Sequence, residues 1–363
     1  MNKPKAIGVH IYAGGFTQGI QNYFQVVGHL ETSKFGVETA RQNLKIDIKI
    51  DAELKPVFSD NNVELIYGNP PCVAFSQLGH RQYLEHATIA DVRSLLRIGL
   101  HYKPLIWVWE CVPQVWMHGR KLVEEVVAEW HKLGYATTVF LTDANLYGMP
   151  QRRNRFHLIA HKLELDFVHK EALELNTCGD ALIQVTPEVD PKNLQVRRYL
   201  QWMEQYALAG YPLRRIWFHL HGIKTKPEGM RFCPPFCIQR LHGELPSCTL
   251  TGGPDFIHPY EWRVLSPGEM AHLSGYPSGW KWYGPMIERY KQVAKGVTPV
   301  IGNYLGKVFY QAIEYGKMVN PGPSNINVID HRAITDTYWK QVKVRKELPQ
   351  EWFGTIKETV CLS

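Results

Sequence analysis

Residues 63–81 read VELIYGNPPCVAFSQLGHR, and their reading decides how the rest of the chain is understood. Val63-Glu64-Leu65-Ile66-Tyr67 is rich in β-branched and apolar residues and predicts a strand. Pro70-Pro71 then stiffens the backbone, because each proline fixes φ near about −65° and gives up its N–H. Cys72 therefore stands at a strand's exit, where open α/β sheets place their ligands. A lone cysteine is also commonly a small buried hydrophobe, so this stretch alone leaves both readings open.

Outward from it, the first 160 residues alternate strand-like and helix-like stretches. Strands are predicted at 6–12, 25–30, 63–67, 105–109, 136–141 and 155–160. Helical patterns fall at 16–23, 34–43, 90–101 and 121–133. Such alternation predicts a parallel sheet covered by helices on both faces. After His161 the rhythm is lost, and it returns at 263–273 and 299–315. We therefore expect a catalytic and cofactor-binding domain over 1–160 and a second, irregular domain over 161–250. Residues 251–320 would return to the first domain, and 321–363 form an extension without assignment.

With 363 residues, 45% hydrophobic and 21% charged, the chain has an ordinary globular composition and room for two cores. It has no apolar run of the length a membrane span needs and opens without a signal-peptide pattern, so a cytoplasmic, membrane-free protein is expected. The seven cysteines are scattered and odd in number, which argues against a disulfide framework and for a reducing compartment. Cys233 and Cys237 form a C-x3-C pair without a second pair at ligand spacing, so no metal site is expected. The net charge is +7, and much of the excess lies between Asp190 and Leu245, with nine Lys/Arg against four acids. Tyr199, Trp202, Tyr206, Tyr211, Trp217 and Phe218 are interleaved there. That mixture suits a nucleic-acid surface, or equally a solvated face over a small aromatic core.

Three other segments bear on Cys72. Leu105–Trp109 leads into Glu110-Cys111-Val112, which puts a carboxylate at the end of another strand. Gly148-Met149-Pro150-Gln151-Arg152-Arg153-Asn154-Arg155 is a turn followed by clustered arginines. Ser266-Pro267-Gly268-Glu269 has the spacing of a helix-starting capping box.

In this order and spacing the chain resembles the DNA cytosine-5 methyltransferases, from Gly8 through about Leu305. Pro70-Pro71-Cys72 with Phe75-Ser76 is similar to the family's Pro-Cys motif, and Glu110-Cys111-Val112 to its Glu-Asn-Val. Gln151–Arg155 is similar to Gln-Arg-x-Arg, and Arg263–Glu269 with Gly275-Tyr276-Pro277 to the Arg-x-Leu-Thr-x-x-Glu motif. Asp91-Val92-Arg93 supplies an intervening Asp-x-Arg. The resemblance implies a Rossmann-like, S-adenosylmethionine-dependent sheet with helices on both faces, plus a smaller irregular target-recognition domain. It also implies transfer from a sulfonium to C5 of a cytosine flipped out of double-stranded DNA. Cys72 would add to C6, Glu110 would share a proton with N3, and Arg155, with Arg153, would bind the base carbonyl and orient Glu110. The loop 77–83 would close behind the base. A bacterial or phage-encoded enzyme acting as a monomer is expected, with restriction–modification among its roles.

The cofactor half departs from the family. The glycine-rich first motif aligns with residues 8–15, where Asp becomes Gly8, Phe becomes His10 and the first Gly becomes Tyr12. Ala13, Gly14, Gly15 and Phe16 complete that loop. Glu31 is expected at the ribose hydroxyls and Asp51 at the adenine amino group, with Pro71 alongside. The last motif, Gly-Asn-Ser-Val, reads as Lys295-Gly296-Val297, with Lys295 at the Asn position. Because an ammonium can neutralise a carboxylate, a modified donor such as carboxy-S-adenosylmethionine is an alternative to S-adenosylmethionine itself. An RNA cytosine substrate and a catalytically inactive DNA-binding paralogue are the remaining alternatives.

Overall fold

The computed structural model describes residues 2–50, 55, 56, 58, 59, 62–75, 83–168, 176–223, 234, 235, 237–319, 326–341, 347–353 and 355. The strands are β1 (Lys5–Val9), β2 (Gln25–Glu31), β3 (Ile48–Ile50), β4 (Leu65–Gly68), β5 (Ile106–Cys111), β6 (Ala136–Asp143), β7 (Asn154–His161), β8 (Gln239–Arg240), β9 (Phe256–Ile257) and β10 (Asn327–Asp330). Eight of them form one sheet in the order β10-β6-β7-β5-β4-β1-β2-β3. β7 runs antiparallel to β5 and β6, and the other neighbouring pairs are parallel.

The central strands β1, β4 and β5 are mostly apolar and buried, as expected of strands covered on both faces. Alternation sorts their side chains between two cores. In β5, Trp107 and Trp109 join a core with helices Ile89–Tyr102 and Arg120–Lys132, while Ile106 and Val108 join another with helices Gly15–Ile20 and Pro299–Tyr315. The last two helices approach closely at glycines. A Cβ on Gly19 would stand 2.2 Å from Asn303 N, and one on Gly302 would stand 2.4 Å from Phe16 O.

The predicted strand over 6–12 ends at Val9, because His10 (φ 53°) and Tyr12 (φ 49°) turn into the left-handed region. The other strands and helices predicted over the first 160 residues fall close to their predicted bounds, whereas β3, β8, β9, β10 and helices Gln114–His118, Cys178–Ile183, Leu213–Leu220, Met286–Lys295 and Arg332–Gln341 are not among the predicted elements. Ser266 and Glu269 make the capping box in both directions at the start of helix Pro267–Leu273.

A separate hydrophobic cluster runs from Leu194 to Val264 and takes in Leu348. Tyr211 and Trp217 are buried in it, Tyr206 and Phe218 pack on it, and Tyr199 and Trp202 stay exposed. The aromatics of this segment thus mostly build a core. Its arginines are partly committed as well, with Arg197 paired to Asp255 and Arg214 and Arg240 donating to the carbonyls of Pro234 and Pro259. Lys224, Lys226, Arg231 and Cys233 lie outside the described residues. Among the described residues no helix is long and apolar enough to cross a membrane.

Candidate active site

Adjacent strands bring three of the expected residues to one edge of the sheet. Cys72 follows the end of β4, Glu110 is the last residue but one of β5, and Arg155 is the second residue of the antiparallel β7. After the two prolines, Cys72 starts a tight turn in which its carbonyl accepts Phe75 N at 3.0 Å. The thiol is half-buried. Its pKa is pushed up by burial, pulled back by the guanidinium of Arg155, and raised again by the Glu110 carboxylate. Arg155 Nε lies 2.9 Å from Glu110 Oε1, and Asn69 Nδ2 donates to Glu110 Oε2. Burial holds the Glu110 carboxyl above the usual carboxylate range, with Arg155 and Arg153 opposing. The site therefore contains an acid that keeps its proton unusually long, beside a thiol flanked by cationic groups.

Arg153 is buried, and its Nη2 donates to Ala294 O at 2.7 Å and Gly296 O at 2.8 Å. Burial, with Arg155 beside it, brings its pKa down to about 9. Its Nε and Nη1 are buried without a hydrogen-bond partner. Arg153 thus ties the arginine segment to the C-terminal end of helix Met286–Lys295 and its cap Gly296, while Arg155 faces Glu110. Cys111, at the family's Asn position, is buried against the core that also contacts Cys72. The amide that braces Glu110 comes instead from Asn69, a residue that the strand–Pro-Pro pattern did not single out.

The glycine-rich loop is built mainly from backbone. Glu31 is 1% exposed, and its carboxylate accepts Tyr12 N at 2.8 Å, Thr32 N at 2.8 Å and Ser33 N at 2.9 Å. Burial raises its pKa, and those N–H groups oppose the rise. Tyr12 holds a left-handed conformation at a position where the family has glycine, a geometry that costs a non-glycine residue about 1 kcal/mol or more. Burial raises its phenol pKa, and the charges of Glu31, Cys72, Asp91 and Glu110 add to the rise. Lys295 Nζ sits 5.9 Å from the centroid of the Tyr12 ring.

Gly8, in the family's Asp position, has a local reason: its Cβ would stand 2.7 Å from the His29 ring. His29 Nε2 in turn bonds Thr17 Oγ1 at 2.6 Å, and Thr17 Oγ1 lies 2.5 Å from Tyr67 OH. His10 is buried with neither ring nitrogen hydrogen-bonded, and its Nε2 is 3.6 Å from Asp91 Oδ1. Burial brings its pKa down to about 4.

Gly14 is left-handed (φ 86°), Ala13 and Phe16 are buried, and a Cβ on Gly15 would stand 2.4 Å from Val297 O. The loop 8–16 and residues 296–297 are therefore brought together, with Lys295 exposed beside them. Pro71 is half-buried. Asp51, Ser76 and the loop residues 77–82 lie outside the described residues. The buried Glu31 carboxylate and the orphaned ring nitrogens of His10 fit a nucleoside group that presents hydroxyls and ring nitrogens.

Comparison with known proteins adds five observations. Residues 7–311 match the family described as C-5 cytosine-specific DNA methylase. The type II methyltransferase M1.HphI of Haemophilus parahaemolyticus is 24% identical over 314 residues, 81% of this chain and 83% of that protein. M.Sau96I of Staphylococcus aureus, also a type II methyltransferase, is 24% identical over 330 residues, 81% of this chain and 73% of that protein. Among solved structures, the Schizosaccharomyces pombe Dnmt2 methyltransferase superposes with a TM-score of 0.63 at 13% identity, covering 86% of this chain and 100% of that one. The Entamoeba histolytica methyltransferase EhMeth gives a TM-score of 0.64 at 12% identity, covering 86% and 99%.

Proposed function

The chain belongs to the C-5 cytosine-specific DNA methylases and is a DNA methyltransferase, and from that premise we propose how its residues carry out the transfer. Cys72 Sγ adds as thiolate to C6 of a flipped-out cytosine in duplex DNA, forming an S–C6 bond and leaving C5 nucleophilic. Glu110 delivers its proton to N3 as negative charge moves onto the ring, and Arg155 holds Glu110 in place and meets the base carbonyl. After C5 has gained its substituent, loss of the C5 proton expels Cys72 and restores the thiolate. S-adenosylmethionine, when bound, supplies the electrophilic methyl group. His10, Gly14, Gly15, Glu31, Gly296 and Val297 would hold it. The observation that carries this reading is the Arg155–Glu110 pair at 2.9 Å beside the Cys72 turn.

The experiment is a duplex containing 5-fluorocytosine, incubated with the enzyme and S-adenosylmethionine and run on a denaturing gel. Fluorine cannot leave C5 as a proton does, so the parent should stay bound to the DNA and Cys72→Ala should not. Methylation of normal DNA by Cys72→Ala would overturn the reading. The names of the relatives support a role for the chain beside a restriction enzyme.

A carboxylated sulfonium donor is a second reading. It is favoured by the Lys295 ammonium, which stands 5.9 Å from the centroid of the Tyr12 ring. Mass spectrometry of nucleosides from DNA modified in expressing cells separates the two. A 5-methylcytosine signal alone excludes the carboxylated donor.

A further inference from the structure

The family match ends at residue 311, yet a later part of the chain reaches the site. β10 adds to the sheet beside β6, and helix Arg332–Gln341 follows it. Three residues of that helix contact the end of β6 and the segment that joins it to β7. Thr335, fully buried, donates Oγ1 to Asp143 Oδ2 at 2.9 Å. Asp336 pairs with Arg152, and Trp339 Nε1 donates to Asn145 Oδ1 at 2.9 Å.

Asp143 is the knot of this arrangement. It is fully buried at the end of β6. Its Oδ1 accepts Arg153 N at 3.0 Å and Asn145 N at 3.3 Å, and its Oδ2 also accepts Arg152 Nε at 2.9 Å. A carboxylate so buried persists only when its lone pairs are satisfied. The Arg153 amide that it holds lies two residues before Arg155, at the start of β7.

We propose that Thr335 and Asp336 are positioning residues for Arg155. By holding Asp143 and Arg152 they fix where β7 begins, and so set Arg155 Nε against Glu110. The inference rests on the reading of Arg155 and Glu110 as the groups that face the base.

The test uses the full chain carrying Thr335→Val, Asp336→Ala, both together, and Asp336→Glu. Small displacements of a positioned group are expensive in rate. Each single removal should lower kcat about tenfold and the pair by less than the product of the two, because both act through one Asp143–Arg152 network, with KM for duplex DNA held within about twofold. Asp336→Glu should restore most of the rate. Hydrogen exchange supplies a readout that does not depend on turnover. The Arg153 amide should exchange faster in the Val and Ala variants, while the amides of β1 and β2 keep their protection. Parental kcat with unchanged Arg153 exchange would overturn the inference, and so would a rate loss that merely follows the fraction of unfolded protein. If the parent methylates no DNA, the base-side reading fails, and exchange at Arg153 still decides this one.

Discussion

The crevice at the edge of the sheet has two sides built on different terms. On the proposed base side, Cys72, Glu110 and Arg155 stand at the ends of three neighbouring strands, and in the proposed reaction each acts through its side chain. On the side of the glycine-rich loop, residues 8–16 align with the family's first motif while three side chains change, to Gly8, His10 and Tyr12. The contacts kept there are backbone ones. Glu31 is held by N–H groups, and His10 and Tyr12 accept left-handed conformations to stay in place. Side-chain chemistry allows no substitution, because a thiol and a carboxyl have no equivalents. A backbone cradle allows it wherever a new side chain finds space, as His29 does over the missing Cβ of Gly8.

The largest expected effect breaks the comparison on its base side. Cys72→Ala should lower turnover by about 10⁴-fold or more, and Arg155→Lys by about 100-fold, with melting temperatures near the parent. A Cys72→Ala enzyme with measurable turnover would place the two sides on the same footing. Next, Gly8→Ala should destabilise by about 1–3 kcal/mol in a urea titration, since its Cβ would press on the His29 ring. His29→Ala added to it should recover part of that loss, and strict additivity would dissolve the pairing.

The two sides should also titrate in opposite senses. His10 is held neutral down to about pH 4. The unfolded chain therefore binds more protons than the folded one between about pH 6.5 and 4. Stability should fall across that window as pH drops, and His10→Phe should recover about 2 kcal/mol of the loss. Glu110 is held above the usual carboxylate range, so the folded state keeps a proton that the unfolded chain has released. Its contribution is lost as pH rises, and Glu110→Gln should be inactive yet melt at or above the parent at pH 8, the gap closing near pH 4. A lower melting temperature for Glu110→Gln at pH 8 would reverse the sign assigned to the base side.

The smallest effect isolates backbone strain. Lys103 caps helix Ile89–Tyr102 with φ 49°, the same value as Tyr12. Lys103→Gly should gain about 0.5 kcal/mol and leave turnover alone. Tyr12→Gly relieves the same strain and should lower donor affinity. Equal kinetics for the two variants would mean that Tyr12 is only a tolerated replacement.

Much of this protein follows from the sequence by itself. Strand–helix alternation set the layered sheet, and Pro70-Pro71 placed Cys72 at a strand's exit. Glu110 and Arg155 were legible as strand-end residues, and the capping box at Ser266 and Glu269 could be read because both partners lie within one helical turn. These features depend on neighbours in the chain, where spacing and propensity act directly. Only the tertiary structure decided that Asn69 braces Glu110, that Arg153 holds the end of helix Met286–Lys295, that His29 fills the space over Gly8, and that Thr335 reaches Asp143 across 192 positions of sequence. Each is a contact between a buried polar or crowded group and a partner from another strand or helix. Local pattern carries no record of such contacts, because the need to satisfy a buried group arises only once the layers have closed around it.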